Sequence, residues 1–285
     1  MKAYDHIIQE HYQRVAREAG LSPQSTMADQ IIRQRETEAI LRFIEAVLAD
    51  RQARGLTDPP LVMDVGCGNG YTLSVLRDAF PHLRLVGVEK VDALRSLAAS
   101  RFADDAQVRI LAGDVRDPDF HQGLRPDVLI SQRVLINLLD AEDQRRALAN
   151  MIHAVREPDA DGIGGYLLFW ESFQTPLARL NEARAEFGMD PIPPAHHNLY
   201  LPDDFFAHPE LEPFRTATYQ PQPNMLSTHY FVSRVLHAVV TRTFTPDAPF
   251  KRNSHFVQFL SSALPPAVGD YAPLKLYVFR RVRPR

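Results

Sequence analysis

The run Leu61-Val62-Met63-Asp64-Val65-Gly66-Cys67-Gly68-Asn69-Gly70 constrains the fold more than any other stretch of the chain. An apolar strand, acidic near its end, breaks into three alternating glycines, and Tyr71 to Phe80 then reads as a helix. This is the form of a nucleotide-cofactor loop. Glycines there adopt backbone conformations closed to other residues and leave no Cβ between the turn and a ligand. The spacing differs from the G-x-G-x-x-G of dinucleotide enzymes, because the third glycine follows the second by two residues, not three. Asp64 suits a ligand carrying a cationic amine and would repel a pyrophosphate. Both points disfavour a dehydrogenase.

Further strand ends fall where such a loop needs them. Arg84-Leu85-Val86-Gly87-Val88-Glu89 ends in a carboxylate about twenty residues past the loop, where an acid can accept two hydrogen bonds from a ribose diol. Val108 to Val115 is a third strand closing on Gly113-Asp114, and Pro126 to Gln132 is a fourth, opening into Arg133-Val134-Leu135-Ile136-Asn137-Leu138. Acids at such turns can equally cap the helices that follow. Four strands in order, each ending in the expected residue type, favour the binding reading.

These segments resemble class I S-adenosylmethionine (SAM) dependent methyltransferases, whose motif I is D-x-G-x-G-x-G. The resemblance implies an α/β fold, a Rossmann-like seven-stranded, mostly parallel sheet with an antiparallel last strand and helices on both faces. It implies SAM as cofactor and S-adenosylhomocysteine as its product. By that likeness Asp64, Gly66, Cys67, Gly68 and Gly70 form the cofactor loop, and Glu89 holds the ribose beside Lys90. Asp114 accepts from the adenine amine, the Val115 backbone faces the ring, and Ser131 and Gln132 lie beside the methyl group.

At 285 residues and 45% hydrophobic, the chain can bury a full core. We read a helical preface or lid over 1–58, the SAM-binding core over 59–172, a substrate cap interleaved with the sixth strand over 173–270, and the last strand with a basic tail over 271–285. A net charge of -3 gives no global attraction to nucleic acid or an anionic membrane. Arg280, Arg281, Arg283 and Arg285 read as a solvated basic terminus. The single Cys67 excludes an intrachain disulfide, Met1 begins no apolar signal sequence, and no run approaches the roughly 18 apolar residues of a membrane span. A cytoplasmic protein is the expectation.

Between Asp29 and Leu48, apolar residues recur at Ile32, Ala39, Phe43 and Val47, an amphipathic helix with Arg33 and Glu36 read as its wet face. The Ser22–Met27 loop before it is a polar segment able to fold over the cofactor. Ala141 to Val155 reads as a helix and Gly164 to Glu171 as a fifth strand. Beyond Glu171 prolines become frequent, the mark of the cap. Helices are predicted over Pro176–Phe187, Asp203–His208, Thr228–Val240 and His255–Ala263, a sixth strand over Phe214–Tyr219 and a last one over Leu274–Arg281.

Methyl transfer needs an acceptor in line with the methyl, a base when the acceptor is a hydroxyl, and exclusion of water. His197 in Ala195-His196-His197-Asn198 is the expected base, with Asn198 orienting it and Glu171 as its partner. No metal is expected: adjacent histidines diverge, no second pair completes a ligand set, and catechol-type enzymes carry a metal-binding aspartate where this chain has Ser131. The D/N-P-P-Y/F element of amino-methylating DNA enzymes is replaced by Ser131-Gln132-Arg133-Val134, which disfavours nucleic acid. The two-glutamate loop of arginine-methylating enzymes is also missing, which lowers the weight of protein substrates.

The pattern of Ser131–Leu139, Arg179–Glu182, His197-Asn198, Ser233–His237 and Lys275–Phe279 is similar to methyltransferases of bacterial polysaccharide and surface-glycan gene clusters. The resulting expectation is metal-independent O-methylation of a polar small molecule, a sugar or glycan end. Arg133, Asn137, Arg179, Asn181, His196 and Arg234 would contact the acceptor. Two alternatives stay open. One is an N- or O-methyltransferase of a specialised metabolite, with a cap lined by Tyr200, Phe205, Phe206 and Tyr230, and the other is a SAM-binding module without catalysis.

Overall fold

In β1 (Leu61–Val65) four successive residues are buried, as in a strand covered on both faces. The computed structural model, which describes residues 2, 4–247 and 251–284, accordingly puts it mid-sheet. β1 pairs in parallel with β2 (Arg84–Glu89) on one side and β4 (Val128–Gln132) on the other. β3 (Val108–Ala112) extends the first side. β5 (Ile163–Ser172), β7 (Leu274–Val282) and β6 (Leu211–Pro213) extend the second, giving the order β3-β2-β1-β4-β5-β7-β6. β7 runs antiparallel to both β5 and β6. This is the expected seven-stranded, mostly parallel sheet.

Side chains of successive strand residues alternate between faces, so two cores form. On one face Val62, Ile130, Leu168 and Trp170 pack against Ile32, Phe43, Ile44 and Val47 of α2 (Gln30–Ala53). On the other, Met63, Leu129, Leu167 and Phe169 meet Leu148, Met151 and Ile152 of α5 (Ala141–Ala154). Side-chain caps fix where these helices start. Asp29 Oδ1 accepts from Ile32 N at 3.3 Å, and Asp140 Oδ1 from Glu142 N and Asp143 N at 2.9 and 3.1 Å. α3 (Tyr71–Ala79) and α4 (Asp92–Arg101) follow β1 and β2, and α1 (Asp5–Ala19) lies against α4.

Several expectations are corrected. The sixth strand is Leu211–Pro213, earlier and shorter than Phe214–Tyr219, because Phe214 turns into the core between Tyr166 and Phe43 while Thr216 Oγ1 closes a turn on Tyr219 N at 3.0 Å. Asp203–His208 is no helix. Pro202 and Pro209 bracket it, and isolated turns form instead, with Phe205 N donating to Pro202 O and Ala207 N to Asp204 O. Arg33 and Glu36 are buried at 8% and 0% exposure, not solvated. The basic terminus is partly folded in: Arg280 pairs with Glu212 and the buried Arg281 with Glu210, whereas Arg283 stays exposed, donating to Asp159 O, and Arg285 lies outside the described residues.

Between β5 and β7 lie α6 (Gln174–Ala185), α7 (Ser227–Phe231), a π-helical turn at Val232–Leu236, α8 (His237–Phe244) and α9 (His255–Ala263). Among the described residues no helix is long and apolar enough to cross a membrane.

Glu171 at the end of β5 is fully buried, and its carboxylate binds the start of the 3-10 turn Leu135–Asn137. Oε1 accepts from Val134 N and Leu135 N at 2.9 and 3.0 Å, and Oε2 from Ile136 N at 3.2 Å. Burial pushes its pKa up to about 7, against the opposing pull of those three N–H groups. Unsatisfied buried donors cost roughly 1 to 3 kcal/mol each. Glu171→Ala should therefore lower the unfolding free energy in urea by about 3 kcal/mol or more. Glu171→Gln, which keeps one carbonyl acceptor, should lose less; equal losses would show that filling space, not accepting hydrogen bonds, is the role of this side chain.

Candidate functional site

A pocket of about 1040 Å³, counting the solvent at its mouth, opens at the C-terminal ends of β1 to β4. That is where open α/β sheets bind ligands. The glycine loop forms its floor. Gly66 N and Cys67 N donate to Val88 O at 2.8 and 3.1 Å, tying the loop to β2. Gly66 has φ 69°, and a Cβ there would overlap Val134. Gly68, at φ 57°, is different: the nearest atom to an added Cβ is the Thr26 methyl at 3.6 Å, so its bare face looks into the pocket.

Glu89 braces this loop. Its Oε2 accepts from Gly68 N at 2.9 Å and its Oε1 from Val91 N at 2.8 Å, and burial raises its pKa despite those bonds. Asp64 is the unusual group. It is 1% exposed, and among the described residues neither carboxylate oxygen has a hydrogen-bond partner. Burial, then the negative Glu89, push its pKa up to about 8, while Arg33, Arg133 and the nearby Gln132 amide, outside hydrogen-bonding geometry, pull the other way. An orphaned buried carboxylate at a pocket wall is a receptor for a cationic donor.

The roof comes from the N-terminal segment. Tyr4, Asp5, Ile8 and Tyr12 of α1 and its N-terminal edge line the pocket, with Pro23 and Thr26 from the loop that follows. Asp5 accepts from Lys90 Nζ at 2.7 Å and Arg116 Nη2 at 2.8 Å, and Tyr4 donates to Asp143. Asn69 Nδ2 holds the loop through Gly20 O and Ser22 O at 2.8 and 3.0 Å. Arg33 donates to Thr26 Oγ1 at 2.8 Å and lies over the Tyr71 ring at 5.6 Å. At the far end Asn137 Nδ2 donates to Tyr12 Oη at 2.7 Å, and Arg133, in a left-handed conformation at φ 59°, pairs with Glu36.

A family model described as a methyltransferase domain matches residues 62–158, which span β1 through α5. Residues 62–158 are a class I SAM-dependent methyltransferase domain. Malonyl-[acyl-carrier protein] O-methyltransferase of Paenibacillus sp. (strain JDR-2) is 25% identical over 150 residues, covering 50% of this chain and 51% of the relative. The match thus spans about half the length of that relative. Among solved structures, the N-methyltransferase NodS from Bradyrhizobium japonicum WM9, crystallised with S-adenosylhomocysteine, aligns at TM-score 0.51 and 15% identity over 95% of this chain and 97% of its own. Magnesium protoporphyrin IX methyltransferase (ChlM) from Synechocystis PCC 6803 aligns at 0.50 and 13% over 98% and 99%. At such identities these two speak for the fold.

In this methyltransferase domain Asp64, Gly66, Cys67, Gly68, Glu89, Lys90, Asp114, Val115 and Gln132 all line the pocket. Gly70 and Ser131 do not. Gly70 starts α3 beneath the loop, where a Cβ would meet Phe102, and Ser131 is fully buried in the sheet between Val65 and Phe169. Asp114 reaches the pocket with its oxygens already engaged. Burial works against its ionisation, but hydrogen bonds from Arg116, with Lys90 adding, hold it at about 2.

The catalytic relay expected of His197, Asn198 and Glu171 does not form. Glu171 is spent on backbone N–H groups, and among the described residues no hydrogen bond joins His197 to it or to Asn198. His197 does not line the pocket. It stacks on His11 with ring centroids 3.8 Å apart, its ring 6.4 Å from that of Tyr12. Burial, with His11, His196 and Arg14 adding, pushes its pKa down to about 4, a weak base.

Of the acceptor residues expected, Arg133 and Asn137 line the pocket. The others face elsewhere: Arg179 pairs with Asp270 at 2.6 Å, Asn181 binds Ile192 N and O at 2.8 and 3.0 Å, Arg234 lies 3.9 Å over the Tyr230 ring, and His196 is exposed. Sequence reasoning gave 1–58 as a helical preface or lid but named no pocket residue in α1, and it read Arg33 as solvated. The signal for α1 was present, since Ile8, Tyr12 and Ala16 recur every four residues, the spacing of one helical face.

Because Asp64 keeps its proton up to about pH 8 in the free protein, pairing with the ammonium of S-adenosylhomocysteine must expel that proton. Affinity should therefore strengthen as pH rises from about 6 to 7.5, with proton release seen by calorimetry in buffers of different ionisation enthalpy. Asp64→Asn should weaken binding and flatten the slope. A wild-type affinity independent of pH, with no proton released, would place the ammonium elsewhere.

Proposed function

We propose that the chain transfers a methyl group from SAM to a hydroxyl of a polar small molecule, with a sugar or glycan end as the acceptor class. The observation that carries the cofactor half is Asp64, buried and unpartnered beside the glycine loop. It fits the amino group of SAM, with Glu89 toward the ribose and the Val115 backbone toward the base. Bound there, SAM supplies a methyl group on a sulfonium, already activated for transfer.

The acceptor half rests on the β4 end of the pocket, where Tyr12, Asn137 and Arg133 present a phenol, an amide and a guanidinium. Asn137 donates to the Tyr12 oxygen, which leaves the phenolic proton available to an acceptor oxygen. Burial raises the Tyr12 pKa, so the phenol orients by donating and does not act as a base. With His197 behind this wall, the residues at hand align the acceptor and exclude water, α1 serving as lid. The aromatic cap of a specialised-metabolite enzyme is not formed by Phe205 and Phe206, which are 4% and 7% exposed and pack in the core near Phe169 and Phe173. The Paenibacillus relative is an O-methyltransferase by name and NodS an N-methyltransferase, so the acceptor atom needs direct proof.

That proof is isotope-labelled SAM offered with hydroxy and amino sugars and with phenolic and amine metabolites, the labelled position being located by mass spectrometry. Label on a sugar oxygen is the expected result, whereas label confined to nitrogen or to phenols would overturn the acceptor assignment. Tyr12→Phe and Asn137→Ala should each lower kcat/KM by about 10-fold or more while S-adenosylhomocysteine affinity stays within about twofold. At saturating SAM, turnover should survive exhaustive chelation, because Ser131 replaces the metal-binding aspartate; a loss restored by magnesium would reverse that reading.

A further inference from the structure

The fold brings His11 of α1 against His196 and His197, nearly two hundred residues later in the chain. One nitrogen from each lies within 4.8 Å of the others. The His11 and His197 rings are stacked at 22°, and the His196 ring stands at 80° to His197 with centroids 5.0 Å apart, presenting its edge to the pair. The Nδ1 of His197 is buried and, among the described residues, has no hydrogen-bond partner. Three imidazoles from two separate segments are the donor set of zinc-class cations, whose metal–nitrogen bonds are about 2.0 to 2.1 Å. Convergence on one ion then needs the stacked His11 and His197 rings to fan apart so that their in-plane lone pairs meet, with the exposed His196 free to swing in as the third ligand. The Arg14 Nη2 contact to His11 Nδ1, at 3.4 Å, is long enough to yield to a dication.

We propose that His11, His196 and His197 bind a zinc-class divalent cation that staples the N-terminal lid to the Ala195–Tyr200 loop. The loop side is already fixed. Leu199 N donates to Ile136 O at 2.7 Å, and Gln144 Nε2 bridges Leu135 O and Leu199 O at 3.1 and 2.8 Å. The movable side is α1, where His11 is followed by Tyr12 in the pocket wall. Metal at the staple would hold Tyr12 against Asn137 and slow escape of the cofactor, away from the transferring atoms. This coupling rests on the SAM reading of the pocket; the metal site itself does not.

Zinc titrated into the untagged full chain against a chromophoric chelator should show one saturable site, with His11→Gln and His197→Ala each at least about 10-fold weaker. Thermal melts establish that both variants are folded. Hydrogen exchange across residues 4–19 should slow on adding zinc to the wild type and stay unchanged in His11→Gln, and zinc should slow S-adenosylhomocysteine release only in the wild type. Absent saturable binding, variants that bind like wild type, or zinc binding without protection of α1 would each overturn the staple. Zinc binding with α1 protection in a chain that binds no S-adenosylhomocysteine would support the staple and sink the SAM reading instead.

Discussion

A carboxylate with no partner, buried where β1 meets the glycine loop, is the constraint on which the site depends. Taking an ion out of water costs several kcal/mol unless it is paired, so Asp64 escapes much of the cost by keeping its proton to about pH 8. Its surroundings sharpen the choice. Glu89 makes ionisation harder, while Arg33 and Arg133 are each tied to Glu36 and moderate it without bonding to Asp64. A pocket that lacks one cationic donor in its wall selects ligands that bring it. A dinucleotide brings a pyrophosphate; an amino-acid-bearing nucleoside brings an ammonium.

The second constraint is the ring of charge that seats α1. Asp5, buried at 4%, sits between Lys90 and Arg116, and Arg116 in turn grips Asp114 at the end of β3. The groups proposed to face adenine and ribose therefore also hold α1 down. Breaking such a set at one member leaves an uncompensated charge in a half-buried place, so lid and cofactor contacts should loosen together. Glu171 does comparable work on the opposite side of the pocket, fixing the 3-10 turn that carries Asn137 by three backbone bonds.

The central sheet was legible because its signals are local. Each strand from β1 to β5 is an apolar run closed by a characteristic residue, and periodicity fixed α2, α3 and α5 within a few residues. The glycine-loop residues that line the pocket were legible for the same reason, their positions following from strand ends. What failed depends on contacts distant in sequence. Arg33 and Glu36 looked solvated because a helical wheel does not reveal that Arg133, about a hundred residues on, pairs with Glu36, or that Thr26 and Tyr71 meet Arg33. His197 looked like a base because sequence showed only its neighbour His196; the ring that governs it is His11. Glu171 looked catalytic because an acid at a strand end can face the pocket or the backbone, and spacing does not distinguish the two. β6 was misplaced since three residues of edge strand carry no period at all.

The account is tested most directly by a crystal structure of the chain with S-adenosylhomocysteine. It predicts the ligand's amino group hydrogen-bonded to Asp64, its ribose on Glu89, and α1 closed over it with Tyr12 at the open end where the acceptor enters. A ligand bound with Asp64 still unpartnered, or one seated outside the glycine loop, would contradict it.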